Sequence, residues 1–132
     1  MRHWSDTWLG RAYDERTYNC AHFLAEVLAE QFGLALDLPD ATGSLRGRDR
    51  QVAEVLTMHC ERVTGAQREG DIVLAIAHGR RAEVGHHSGV LILPDGAPHI
   101  LHCMAGLGSC RHPIGELPAR GLIVHGHYRW LS

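Results

Sequence analysis

The 132-residue sequence has no long apolar run and no excess of basic charge. No segment approaches the ~20 apolar residues that cross a bilayer, and residues 1–6 lack the apolar core of a secretory signal peptide. The net charge is only −2, whereas nucleic-acid-binding domains usually carry a strongly basic patch. We therefore expect a chain that is cytoplasmic as synthesised, does not span a membrane and does not bind nucleic acid.

Patterns that mark disulfide frameworks and zinc fingers are also missing. In a reducing compartment free thiols are the better expectation, and neither a C-x-x-C nor an H-E-x-x-H spacing is present. We expect no metal and no cofactor. A metal-binding module stays open as an alternative, since several residues are of zinc-ligand types: His59-Cys60, His102-Cys103, Cys110 and His112. Otherwise Cys60, Cys103 and Cys110 are expected to pack in the core.

The length fits one domain over residues 1–132. The clearest element is a helix over residues 20–32, in which Leu24, Val27 and Leu28 follow helical spacing. Asn19 stands at its N-cap and Gly33 at its C′ position. A short helix over about 4–12, a loop over 33–47 and a second helix over about 48–61 are also predicted.

The second half of the chain has β-strand patterns. Strands are predicted over 72–77, 88–93 and 99–103, with a final strand or strand pair over 121–130. Helices followed by a mainly antiparallel sheet indicate an α+β fold. A two-residue turn at Asp95-Gly96 would pair Gly89 with His102 and His87 with Met104, which places His87 and His102 on one face.

Cys20 is the candidate nucleophile, because it is the first residue of the predicted helix. A free cysteine titrates near ~8.5, and the positive end of a helix favours the thiolate. The N–H groups of the first turn could also hold an oxyanion. The alternative is that Cys20 is a small apolar residue of the core.

Histidine is abundant, with 11 of 132 residues, and offers the base. His87 is the candidate base and His102 the group that orients it. Gly89 beside His87 is expected to leave open space for a substrate. His86 could exchange roles with His87, and His102 could be a core histidine.

Four segments together resemble the NlpC-type branch of papain-like cell-wall hydrolases, and most closely the peptidase domains of phage tail proteins. They are Tyr18–Leu24 around the cysteine, Gly70–Leu74, His87–Leu91 and Ile100–His102. Residues 106–108 and 128–130 are also similar to the phage branch. The resemblance covers roughly residues 8–131.

The resemblance implies a papain-like fold in which N-terminal helices pack on the sheet. It makes Cys20 the nucleophile, His87 the general base and His102 the orienting group, and it places Tyr13 near the oxyanion. It implies hydrolysis of amide bonds in peptidoglycan stem peptides, often the γ-D-glutamyl–diamino acid bond, without a cofactor. Phage tail proteins are then the expected partners and the virion tail a second location.

The chain departs from that family beside the nucleophile. Asn19 replaces an aspartate, and Ala21-His22 replaces a small Ser-Gly pair. Asn19 can still cap the helix but removes a negative charge, while His22 adds bulk or a polar group. Two alternatives therefore remain: a catalytically weak component of the tail tip, and an amidase or acyltransferase on the same scaffold.

Overall fold

A computed structural model of the protein describes residues 2–35, 56, 58–77 and 86–131, without the side chains of residues 77 and 86. Over these ranges one α-helix packs on a six-stranded antiparallel sheet, so the predicted α+β class is confirmed. Within the same ranges, no helix has the length and apolar character needed to cross a bilayer.

The helix α1 spans Cys20–Phe32. The strands are β1 Cys60–Arg62, β2 Ile72–Ala77, β3 His86–Ile92, β4 His99–Met104, β5 Gly108–Pro113 and β6 Leu122–Trp130. They lie side by side in the order β1-β6-β2-β3-β4-β5. Among the described residues, short 3-10 helices cover Trp4–Trp8, Ile114–Glu116 and Pro118–Arg120.

The ends of α1 follow from local chemistry, as predicted. The Asn19 side chain accepts hydrogen bonds from the N–H groups of Ala21 (2.9 Å) and His22 (3.2 Å). In return His22 Nδ1 accepts from the Asn19 N–H (3.3 Å), which completes a capping box. Gly33 ends the helix in the left-handed conformation, with φ of 66°.

The two faces of the sheet carry separate apolar clusters, because successive side chains of a strand point to opposite sides. One face packs under α1, where Val90, Leu101 and Cys103 join Phe23 and other helix residues. On the other face, side chains of the sheet pack with Leu117, which lies between the two 3-10 helices that follow β5: Val73, Ala75, Leu91, Ile100, Leu117 and Leu122.

The register of β3 against β4 is the predicted one. Val90 pairs with Leu101 and Ile92 with His99, which is the same alignment that sets Gly89 against His102. The predicted two-residue turn is wrong, since pairing ends at Ile92–His99 and residues 93–98 connect the strands. Pro94 and Pro98 have no N–H to donate, so the ladder cannot extend further toward the turn.

The structure corrects three other predictions. A second helix was predicted over about 48–61, but Cys60 begins the strand β1. Before it, Leu56, Met58 and His59 are helical, and the rest of the predicted helix lies outside the described residues. Long-range pairing of β1 with β6 decides this segment. The first helix is a 3-10 helix over Trp4–Trp8. The strand β5 was not predicted.

Gly89 does not leave open space above the strand, so that prediction is wrong. A Cβ built there would lie 2.6 Å from Ile100 Cγ1 and 2.8 Å from the carbonyl oxygen of Leu101. The missing side chain lets β3 and β4 approach each other closely. Gly89 therefore has a packing role in the hairpin.

Replacing Gly89 by alanine should destabilise the protein by about 1–3 kcal/mol, because the added methyl group overpacks the hairpin. Urea unfolding measures the change. The matched control is Gly115→Ala, where a Cβ meets no atom within 4 Å and the change should stay within about 0.5 kcal/mol. Equal stability of the two variants would contradict the close packing at Gly89.

Candidate active site

Cys20 lies at the start of α1 and is only 4% exposed. The Asn19 side chain already accepts from the N–H groups of Ala21 and His22. These two donors of the first turn are therefore committed to the cap. Of the oxyanion donors expected from the sequence, the Cys20 N–H and Tyr13 remain the candidates.

The side chain of Cys20 is near that of Cys103, which lies on the α1 side of β4. Burial, together with the neighbouring thiols of Cys20 and Cys110, raises the pKa of Cys103 to about 11. Burial also raises the pKa of Cys60 to about 11 and that of Cys110 above its usual value. All four cysteines are thiols, as predicted, and these three are poor nucleophiles.

His87 and His102 are in direct contact, as the predicted register requires. His87 Nε2 lies 2.7 Å from His102 Nδ1. The other nitrogen of His102, Nε2, lies 2.9 Å from His112 Nδ1. Three imidazoles thus form one hydrogen-bonded chain across β3, β4 and β5.

The middle ring of this chain is fully buried. Burial, with smaller effects of His87, His112 and Arg120, lowers the pKa of His102 to about 2. The pKa of His112 is lowered by burial and Arg120, against the opposing effect of Glu116. Both rings are therefore neutral at pH 7, and each has one N–H and one lone pair.

Because each neutral ring has one donor and one acceptor nitrogen, the hydrogen bonds along the three histidines must all point the same way. In one direction His102 donates its Nε2–H to His112 Nδ1 and accepts at Nδ1 from the Nε2–H of His87. This arrangement leaves Nδ1 of His87 as a proton acceptor, which is the state a general base needs. In the opposite direction His87 accepts at Nε2 and holds its proton on Nδ1.

The histidine chain lies on the face of the sheet away from α1. Ala75, which pairs with His87, and Ile100, which pairs with His112, belong to the cluster on that face. Cys103, which is close to Cys20, belongs to the cluster under α1.

Both groups nevertheless lie toward the end of the sheet at which β3 begins and β4 ends. Cys103 is the last but one residue of β4, and His87 is the second residue of β3. The β3–β4 pairs end at Val90–Leu101, so His87 lies in a part of β3 that pairs with β2. His87 and the surroundings of Cys20 at Cys103 are therefore found at the same end of the sheet.

The other predicted site residues have structural roles in the described contacts. Asn19 and His22 form the capping box, and the Asn19 amide also donates to the Glu15 carbonyl oxygen (3.0 Å). Tyr13 packs against the core under α1. His112 was not predicted as part of the catalytic set, since nothing in its own segment marks β5 as a strand.

The chain matches no known family model, and no curated protein is similar to it.

The buried His102 should make stability fall with acid. The unfolded ring binds a proton near ~6.5, whereas the folded ring does so only near pH 2. Between these values the unfolded state holds more protons, so the free energy of unfolding falls as pH falls. The contribution of His102 should reach about 2 kcal/mol at pH 5.

Urea unfolding from pH 7.5 to pH 5, in the presence of EDTA, measures this effect. The slope of the free energy of unfolding against pH should be smaller in His102→Gln than in wild type by the equivalent of about one proton, whatever the stability of the variant at pH 7.5. His125→Gln, at an exposed position, should keep the wild-type dependence. Parallel curves for wild type and His102→Gln would show that His102 is not held neutral.

Proposed function

We propose that the protein is a small cysteine hydrolase of the NlpC type, with a papain-like arrangement of helix and sheet. Its substrates would be amide bonds in peptidoglycan stem peptides, first of all the γ-D-glutamyl–diamino acid bond, and its partners phage tail proteins. The observation that carries the proposal is the 2.7 Å bond between His87 and His102. An imidazole held by a buried polar partner is what a thiol nucleophile needs as its base.

The position of Cys20 supports the role of nucleophile. It is the first residue of α1, where the positive end of the helix dipole favours a thiolate. The other cysteines have pKa values raised by burial. Cys20 is also the cysteine of the segment Tyr18–Leu24, which resembles the family.

In the proposed reaction, His87 Nδ1 takes the proton of the Cys20 thiol, and the sulfur attacks the carbonyl carbon of the amide. The Cys20 N–H and the Tyr13 hydroxyl donate to the oxyanion. His87 then gives its proton to the leaving amine, and the C–N bond breaks. Water, deprotonated by the same nitrogen, cleaves the thioester and releases the acid.

His102 acts on the base rather than on the substrate. Its Nδ1 lone pair accepts from His87 Nε2–H, which fixes the ring orientation and stabilises the imidazolium that forms. The reaction also requires His87 Nδ1 to lie within about 3–4 Å of the Cys20 sulfur in the complex with the substrate.

Cys20→Ala should abolish cleavage of purified peptidoglycan stem peptides, with a loss of at least about 10³-fold. The variant should remain folded, with stability within about 1–2 kcal/mol of wild type. Cys60→Ala serves as a cysteine control that retains activity. A Cys20→Ala protein that cleaves at the wild-type rate would remove Cys20 from the mechanism.

Alkylation tests the pairing of sulfur and imidazole without a substrate. At pH 6 iodoacetamide should modify Cys20 of the folded protein faster than the other cysteines, because only a lowered pKa gives thiolate there. His87→Ala should slow this reaction, whereas His125→Ala should not. Slow labelling of Cys20 that His87→Ala leaves unchanged would favour a non-catalytic component of the tail tip.

A further inference from the structure

A second group of side chains meets on the face of the sheet away from α1. His102, Cys110 and His112 each offer one ligand atom, and these atoms all lie within 4.8 Å of one another. His102 Nε2 is 2.9 Å from His112 Nδ1, which is itself 3.9 Å from Cys110 Sγ. We propose that these three residues form a binding site for a divalent transition-metal ion of the zinc type.

Two of the three spacings are close to those around a tetrahedral ion. With zinc–nitrogen bonds of ~2.05 Å and a zinc–sulfur bond of ~2.3 Å, the N···N edge is about 3.3 Å and the N···S edge about 3.6 Å. The observed 2.9 Å and 3.9 Å differ from these edges by a few tenths of an ångström. The third edge, from His102 to Cys110, is within 4.8 Å, so rotation of the Cys110 side chain toward His102 would complete the site.

The ligands stand on paired strands. His102 pairs directly with Cys110, and Cys110 and His112 point to the same side of β5. Strands hold ligand positions more closely than loops do. The remaining nitrogen of His102 contacts His87, and such an outer partner orients a metal-bound imidazole.

The two imidazoles and one thiolate are ligands that zinc and its neighbours in the first transition series accept. The Cys110 thiolate supplies one negative charge, and the Glu116 carboxylate acts on His112. Arg120 acts on all three ligands and opposes a cation. Three protein ligands leave the fourth tetrahedral position for water or another small ligand.

Metal binding would also change the direction of the histidine chain. His102 can bind the ion only through the Nε2 lone pair, so its proton lies on Nδ1 and is donated to His87 Nε2. Neutral His87 then holds its own proton on Nδ1 and cannot take one from Cys20. If the proposed hydrolase function holds, the metal-bound protein is the inactive state.

Titration of the full chain with Co²⁺, after removal of metals by a chelator, tests the site directly. We expect one ion per chain, the visible bands of tetrahedral cobalt and a thiolate-to-cobalt charge-transfer band. Cys110→Ser should lose the charge-transfer band, and both Cys110→Ser and His112→Gln should weaken binding by about 10–100-fold. Zn²⁺ should displace the cobalt.

Two matched controls lie elsewhere in the fold. Cys60→Ala, in the cluster under α1, and His125→Gln, at an exposed position of β6, should bind cobalt like wild type. Wild-type protein that binds no stoichiometric cobalt would overturn the proposal. A charge-transfer band that survives Cys110→Ser but is lost in Cys60→Ala would do the same.

A separate measurement addresses the link to catalysis. Wild-type protein should lose most of its hydrolase activity when one equivalent of Zn²⁺ is added, whereas Cys110→Ser should retain most of its own zinc-free activity. Metal binding without any hydrolase activity would leave the site in place and reject the proposed function. Activity that zinc does not affect, in a protein that binds it, would reject the inhibitory link.

Discussion

The register of three neighbouring strands is the constraint on which the candidate site depends. Val90 pairs with Leu101 and His102 with Cys110, so the imidazoles of His87 and His102 meet on one face. A slip of one residue in β4 would point the His102 side chain into the core under α1 and the Cys103 side chain to the opposite face of the sheet. The apolar clusters on both faces oppose such a slip, because every side chain of the strand would change its environment.

His102 belongs both to the proposed catalytic residues and to the proposed metal ligands. It is fully buried and neutral, so one of its ring nitrogens donates a hydrogen bond while the other accepts one. With its Nδ1 as acceptor it supports His87 as a base, and with its Nε2 as ligand it supports a metal ion. The proposed catalysis and the proposed metal binding would therefore exclude each other.

The cap at the start of α1 limits what this helix end can offer to a substrate. Asn19 caps the helix through its carboxamide oxygen and is 2% exposed. The cap occupies the N–H groups of Ala21 and His22. A substrate oxyanion would therefore depend on fewer backbone donors than a bare helix terminus offers.

The sequence by itself determined the bounds of α1, most of the strands and the register of the β3–β4 hairpin. These features depend on local signals, namely the cap at Asn19, the glycine at position 33, alternating side chains and the turn after Ile92. The contact of His87 with His102 followed from that register. Tertiary structure alone decided β1, whose partners in β6 lie 66 to 70 residues later in the chain, and β5, which brings Cys110 and His112 to His102. It also decided that Gly89 is a close contact between strands, because pairing and packing between distant segments leave no periodic pattern in either segment.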